Sequence, residues 1–190
     1  MIQSSVKVII IIFLVQGCFF YSMRGSLPAH IKSISLAPVV NESSEFAVAE
    51  ILNDELNELM VSENVLDIVM PEQADSRLEV VIFSVSDRPY TVSLSSDYGM
   101  EEVEEWKLTI KTTVTWYDLK RDEVLLEKKM SSWGSYLPGV DISTDGIDND
   151  GDNLIDSEDS DEIGSPRESA LSISVRRLTE DIVNEITNTW

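Results

Sequence analysis

The stretch from Glu104 to Asp118 reads EEWKLTIKTTVTWYD. Trp106, Leu108, Ile110, Thr112, Val114 and Trp116 fall at alternate positions, and Lys107, Thr109, Lys111, Thr113 and Thr115 fill the positions between. Successive side chains of a strand point to opposite faces, so this run predicts an antiparallel strand with one buried and one wet face. LKRD (Leu119–Asp122) then turns the chain, and EVLLEKKMSSW (Glu123–Trp133) returns it as a partner strand. Upstream, RLEVVIFSVSDRPY (Arg77–Tyr90) is rich in β-branched and aromatic residues. It predicts a strand buried on both sides for part of its length.

Further out, IKSISLAP (Ile31–Pro38) predicts a short strand ended by its proline, and VLDIVM (Val65–Met70) another before Pro71. Between them Val48, Leu52, Leu56, Leu59 and Met60 recur near helical spacing, predicting an amphipathic helix from about Glu45 to Val61 with Ser43 and Ser44 as candidate N-caps. A second helix is marked by Ser165 as N-cap, Pro166 at the first helical position and Glu168 completing a capping box. Leu171, Val175, Leu178, Ile182, Ile186 and Trp190 form its apolar stripe. The expected class is α+β: a two-layer α/β sandwich with a mostly antiparallel sheet of four to five strands and two helices on one face.

The 190 residues fit one domain. The first eighteen, MIQSSVKVIIIIFLVQGC, place one lysine before an apolar run from Val8 to Val15 and a small residue before Cys18. That layout is a secretory signal, too short to span a bilayer permanently. VQGC resembles a bacterial lipobox, which implies acylation of Cys18; the alternative is an ordinary cysteine beside a cleaved signal or an uncleaved anchor. Cys18 is the only cysteine, which excludes an intramolecular disulfide and a multi-thiolate metal site. The expected division is a signal over 1–17, a lipidated linker over 18–30, and a domain over 31–190 interrupted by an acidic insertion at 141–162. A formal net charge of −21 argues against nucleic-acid binding, and about half of it sits in that insertion, which holds no Lys or Arg.

Within the insertion, DNDGDNLIDSED (Asp148–Asp159) follows the twelve-residue calcium-loop pattern. Asp148, Asp150 and Asp152 take its first, third and fifth positions, Leu154 offers a carbonyl at the seventh, and Asp156 and Asp159 take the ninth and twelfth. Ile155 stands where such loops place an inward-packing apolar residue. Asn153 replaces the usual turn glycine, and Asp159 replaces the usual Glu, shortening that arm. Pro138 and Gly139 precede the loop where an EF-hand would have a helix, so it resembles the helix-poor calcium loops of dockerin and thrombospondin repeats. The alternative is a solvated, self-repelling acidic loop.

No nucleophile motif, phosphate loop or zinc spacing is present, and the single histidine, His30, reads as structural. No enzyme is expected. The segments CFFYSMRGSLPAHIKSISLAPVVNESSEFAVAEILNDEL, ADSRLEVVIFSVSDRPYT, EVEEWKLTIKTTVTWYD, SSWGSY and LTEDIVNEITNTW together resemble the LptE lipopolysaccharide-assembly lipoproteins. The resemblance covers most of the chain outside Leu137–Gly164. It implies an outer-membrane lipoprotein on the periplasmic side, tethered to the membrane by its lipid, that plugs an LptD-like β-barrel and helps deliver lipopolysaccharide to the surface. It also implies lipopolysaccharide contact through basic side chains, for which Lys107, Lys111, Lys128 and Lys129 are the candidates, with Lys120 and Arg121 on the turn. The alternatives are that these lysines only solvate an exposed sheet, and that the protein is a calcium-dependent adaptor of the envelope with no part in lipid transport.

Overall fold

The computed structural model describes residues 28–94, 101–139 and 165–188, with Gly146, Asp148, Asn153, Leu154, Ile155 and Glu158. The expected signal segment, Cys18 and most of the acidic insertion lie outside the described residues. In chain order the elements are β1 (Ser33–Leu36), β2 (Val40–Asn41), α1 (Val48–Glu63), β3 (Asp67–Ile68), a short 3-10 turn (Pro71–Gln73), β4 (Ser76–Leu94), β5 (Glu101–Asp118), β6 (Glu123–Tyr136) and α2 (Pro166–Asn188). Among the described residues, no helix is long and apolar enough to cross a membrane.

The strands form one mixed sheet in the order β3-β1-β4-β5-β6, with β2 also paired to β4. The short strands run parallel to their neighbours, and the three long ones form two successive antiparallel pairs. Leu78, Val80 and Ile82 of β4 lie opposite Trp116, Val114 and Thr112 of β5, and all six are buried. Onto this face α1 lays Val48, Leu52, Leu56 and Met60, and α2 lays Leu171, Val175, Leu178, Ile182 and Ile186. The α+β class with both helices on one face therefore stands as expected. The sheet has six strands because two-residue β2 is too short for any periodicity to register.

Two local expectations are corrected. β4 is buried on one face only: Leu78, Val80 and Ile82 point inward, while Arg77, Glu79 and Val81 are half-buried on the other side. Its continuous apolar run arises because Phe83 occupies an irregularity between Ile82 and Ser84, which puts an exposed ring next in sequence to core residues. The first helix begins at Val48, and its N-cap residue, Ala47, supplies no side-chain bond. Ser43 donates instead to Asn41 Oδ1, and Asn41 Nδ2 donates to the Glu45 carbonyl, a local turn that competes with the helix for these residues. The second helix starts as expected: Ser165 N–H donates to Glu168 Oε2 at 2.8 Å, and Glu168 N–H to Ser165 Oγ at 3.4 Å.

Two polar clusters fasten the ends of the sandwich. At one, the Asp75 carboxylate accepts from Lys32 N–H at 2.8 Å and Ser33 N–H at 3.2 Å and pairs with Lys120 Nζ at 2.6 Å. Beside it, buried Asp118 pairs with His30 and accepts from the N–H groups of Lys120 and Arg121, closing the β5–β6 turn. At the other end, Arg167 bridges Glu45 at 2.8 Å and Asp87 at 3.0 Å, and Tyr136 Oη donates to Asp87 at 3.1 Å. These bonds tie the start of α2 to β4, β6 and the approach to α1.

Candidate functional site

With both helices on one face, the opposite face of the sheet is the surface left for a ligand. Cross-strand partners share a face, so the register assigns its residues. Lys107 lies opposite Arg88 and Ser135, Thr109 opposite Ser86 and Trp133, Lys111 opposite Ser84 and Ser131, and Thr113 opposite Val81 and Lys129. The open face thus gathers four cations, Arg88, Lys107, Lys111 and Lys129, among hydroxyls and the carboxylates of Glu79, Glu105 and Glu127. Among the described residues, none of these four cations forms an ion pair. Other cations do: Arg77 with Glu79 on this same face, and, away from it, Lys120 with Asp75, Arg121 with Glu123, and Arg167 with two carboxylates. In a chain with 35 acidic and 14 basic residues, four cations without ion pairs make this face much less negative than the molecule as a whole.

The four lysines singled out from sequence do not stay together. Lys107, Lys111 and Lys129 fall on the open face, whereas Lys128 lies across from Val114 on the helix-bearing side and pairs with Glu185 of α2 at 2.6 Å. Residues adjacent in a strand cannot share a face, so Lys128 and Lys129 separate. Arg88, Tyr90 and Trp133 were not singled out from sequence. Tyr90 and Trp133 bring their ring centroids within 5.7 Å, and Lys107 Nζ lies 3.9 Å from the Trp133 ring centroid.

The titration of the end clusters reports structure and not catalysis. Hydrogen bonds from Lys120 and the Lys32 backbone hold the Asp75 carboxyl down at about 2. Burial pushes Asp118 up, but its bonds from His30 and the turn N–H groups outweigh that and keep it below the usual carboxylate range. Burial and the bond to Asp87 raise the Tyr136 phenol. Each of the three groups makes a bond that fastens one element to another.

Of the calcium-loop positions, Asp148 and Leu154 are described; Asp150, Asp152, Asp156 and Asp159, like Cys18, lie outside the described residues. Asn153 takes a left-handed φ of 72°, and its N–H donates to Asp148 Oδ2 at 3.0 Å. Ile155, expected to pack inward, is instead 41% exposed. Among the described residues, no group of three or more His, Cys, Asp or Glu side chains is gathered to hold a metal ion.

No curated protein sequence matches the chain. Solved structures share its fold at low identity. A neuraminyllactose-binding hemagglutinin homolog from Helicobacter pylori aligns with TM-score 0.52 and 12% identity over 90% of this chain and 91% of its own. A hypothetical protein from Chlamydia trachomatis aligns with TM-score 0.51 and 11% identity over 82% and 98%. A minor lipoprotein from Acinetobacter baumannii gives TM-score 0.44 and 12% identity over 82% and 92%. The family model described as LptE, lipopolysaccharide-assembly, matches residues 31–189, from the entry into β1 to the end of α2, and the chain belongs to that family.

Proposed function

We propose that this protein is an outer-membrane lipoprotein, acylated at Cys18 and held on the periplasmic side, that assists lipopolysaccharide assembly as the plug-like partner of an LptD-like β-barrel. The observation that carries the reading is the family match running through every strand and both helices. The role is non-enzymatic: the domain presents a surface, and Lys107, Lys111 and Lys129 with Arg88 meet the phosphates of the lipid as point charges and a guanidinium fork. Affinity capture of the native protein from detergent-solubilised envelopes tests the partner. A co-purifying β-barrel, together with loss of surface lipopolysaccharide on depletion, is expected. Capture of soluble envelope proteins with no barrel, and unchanged surface lipopolysaccharide, favours the adaptor reading instead.

The insertion is read as a calcium loop that orders itself and does not define the activity. The left-handed Asn153 and its bond to Asp148 favour this, since the first acid and the turn residue of such a loop are linked in that way. Asp148, Asp150, Asp152, the Leu154 carbonyl, Asp156 and Asp159 would supply hard oxygen ligands. Calorimetry with Ca²⁺ on the whole chain should give a saturable heat that Asp148→Ala and Asp150→Ala abolish. No saturable heat at millimolar calcium would refute it.

A further inference from the structure

Tyr90, Lys107 and Trp133 stand on three successive strands, β4, β5 and β6. Neighbouring strands lie about 4.8 Å apart, so β4 and β6 are separated by about 9.6 Å across β5. The Tyr90 and Trp133 ring centroids are nevertheless only 5.7 Å apart, at an interplanar angle of 45°. Both rings therefore lean inward over the central strand. Tyr90 has room to do so because it falls in the register shift between Pro89 and Thr91 and has no residue opposite it on β5. Lys107 Nζ lies close to both rings, 3.9 Å from the Trp133 centroid and 5.4 Å from that of Tyr90. The rings remain open to solvent, Trp133 at 39% and Tyr90 at 50%.

Two exposed rings held beside an ammonium are a costly arrangement for a surface that only solvates a sheet, where Thr, Lys and Glu suffice. The neighbours narrow the occupant. Arg88 stands opposite Lys107 and Lys111 follows on the same face, against the nearby carboxylate of Glu105, which accepts from Thr91 Oγ1, so the balance of charge favours an anionic occupant. Thr109 lies opposite Trp133, and Ser135 opposite Lys107, so hydroxyls and amides can find partners. An acyl chain calls for an enclosed apolar groove, which a flat face of two rings and several cations does not offer.

We propose that Tyr90, Lys107 and Trp133, with Arg88, form a recognition site for a phosphorylated sugar. The C–H face of a pyranose ring stacks on the aromatic pair while Lys107 and Arg88 hold the phosphate. The proposal rests on the lipopolysaccharide reading and deepens it, placing recognition at the phosphosaccharide headgroup and not at the acyl chains.

The test uses the whole chain in a polyoxyethylene detergent. Its probes are a bis-phosphorylated glucosamine disaccharide lacking acyl chains, the same disaccharide without phosphates, inorganic phosphate, and intact lipopolysaccharide. The wild type is expected to bind the phosphorylated disaccharide at least tenfold more tightly than either the neutral disaccharide or phosphate. Trp133→Leu and Tyr90→Leu, each checked for an unchanged circular dichroism spectrum, should each weaken that binding about tenfold, a typical loss for one stacking ring. Trp133→Phe should retain most of it. If both leucine variants bind the disaccharide as tightly as the wild type while lipopolysaccharide still binds, the sugar site is overturned and the transport reading stands. If phosphate alone matches the phosphorylated disaccharide, the face is a simple anion patch and the sugar site is again overturned. If the wild type binds neither the disaccharide nor lipopolysaccharide, both readings fall.

Discussion

Gly134 is the one described glycine whose missing side chain is demanded by packing, and Gly134→Ala should loosen the whole helix layer. A Cβ built there would stand 2.6 Å from the carbonyl oxygen of Ala170, 3.0 Å from Ser174 Oγ and 3.2 Å from Ala170 Cα. A comfortable carbon–oxygen contact is about 3.3 Å or more, so the backbone of α2 must retreat by roughly 0.7 Å. No rotamer change relieves this, because the obstructing oxygen belongs to the helix backbone and already accepts from Ser174 Oγ at 2.5 Å. A retreating helix draws Leu171, Val175 and Leu178 out of a core in which each is at most 3% exposed. Overpacking of this kind costs about 1–3 kcal/mol, against about 0.4–1 kcal/mol recovered from the stiffer unfolded chain. A net loss of about 1–2 kcal/mol should lower Tm by about 2–8 °C in a domain of this size. Urea and thermal unfolding followed by circular dichroism measure it. Gly139→Ala is the control: no atom lies within 4 Å of its Cβ, and its cost comes only from a φ of +83°. A Gly134→Ala midpoint equal to or above the wild type would refute the close approach of β6 to α2.

Three further outcomes follow from the same contacts. Asp75 is held at about 2 and Asp118 below its ordinary range, so their stabilisation is complete above the unfolded value near 3.9 and is lost as pH falls through the folded values. The urea midpoint should therefore drop steeply between pH 4 and pH 2, and Asp75→Asn should flatten that drop; an unchanged slope would contradict it. Ser165→Ala removes the hydroxyl that accepts from Glu168 N–H and should cost about 1 kcal/mol in the same unfolding assay, with Ser165→Asp close to wild type. Replacing Asp141–Glu162 with a short linker should leave the circular dichroism spectrum folded, since β6 and α2 pack directly on each other at Gly134 and Ala170; an unfolded spectrum would refute this.

The long elements were legible because their periodicity coincides with their environment. β5 buries Leu108, Ile110, Thr112, Val114 and Trp116 in strict alternation, so its pattern could be read without its partners. The capping box at Ser165 is likewise local, with both bonds made within four residues. What escaped depended on partners distant in sequence. The parallel two-residue strand β2 exists only because β4 offers an edge to it. Lys128 and Lys129 look equivalent in EKKM, and only the register against Val114 and Thr113 sends them to opposite faces. Tyr90, Arg88 and Trp133 carry no local motif; period two puts Trp133 on the face of Lys129, but its approach to Tyr90 needs the β4 irregularity, which sequence does not announce.

The acidic insertion and the cationic face are neighbours along the chain, so the charge of the one bears on the ligand proposed for the other. β6 ends at Tyr136, opposite Trp106, so the connection to α2 departs next to Trp133 and Lys107. If that face takes the phosphorylated ligand proposed above, a segment with ten carboxylates and no cation, beginning a few residues beyond it, would compete for it at an effective concentration set by a short span of chain. Competition of this kind is intramolecular and electrostatic, so it weakens with salt over a Debye length of about 8–10 Å and weakens again when the carboxylates are neutralised. Calcium bound in the loop would therefore act twice, holding the segment in one conformation and removing negative charge that otherwise opposes the phosphorylated ligand. The −21 of the whole chain is thus compatible with an anionic ligand, because the charge that matters is that of the face, and the largest block of opposing charge is the one that calcium, on the proposed reading of the loop, would neutralise.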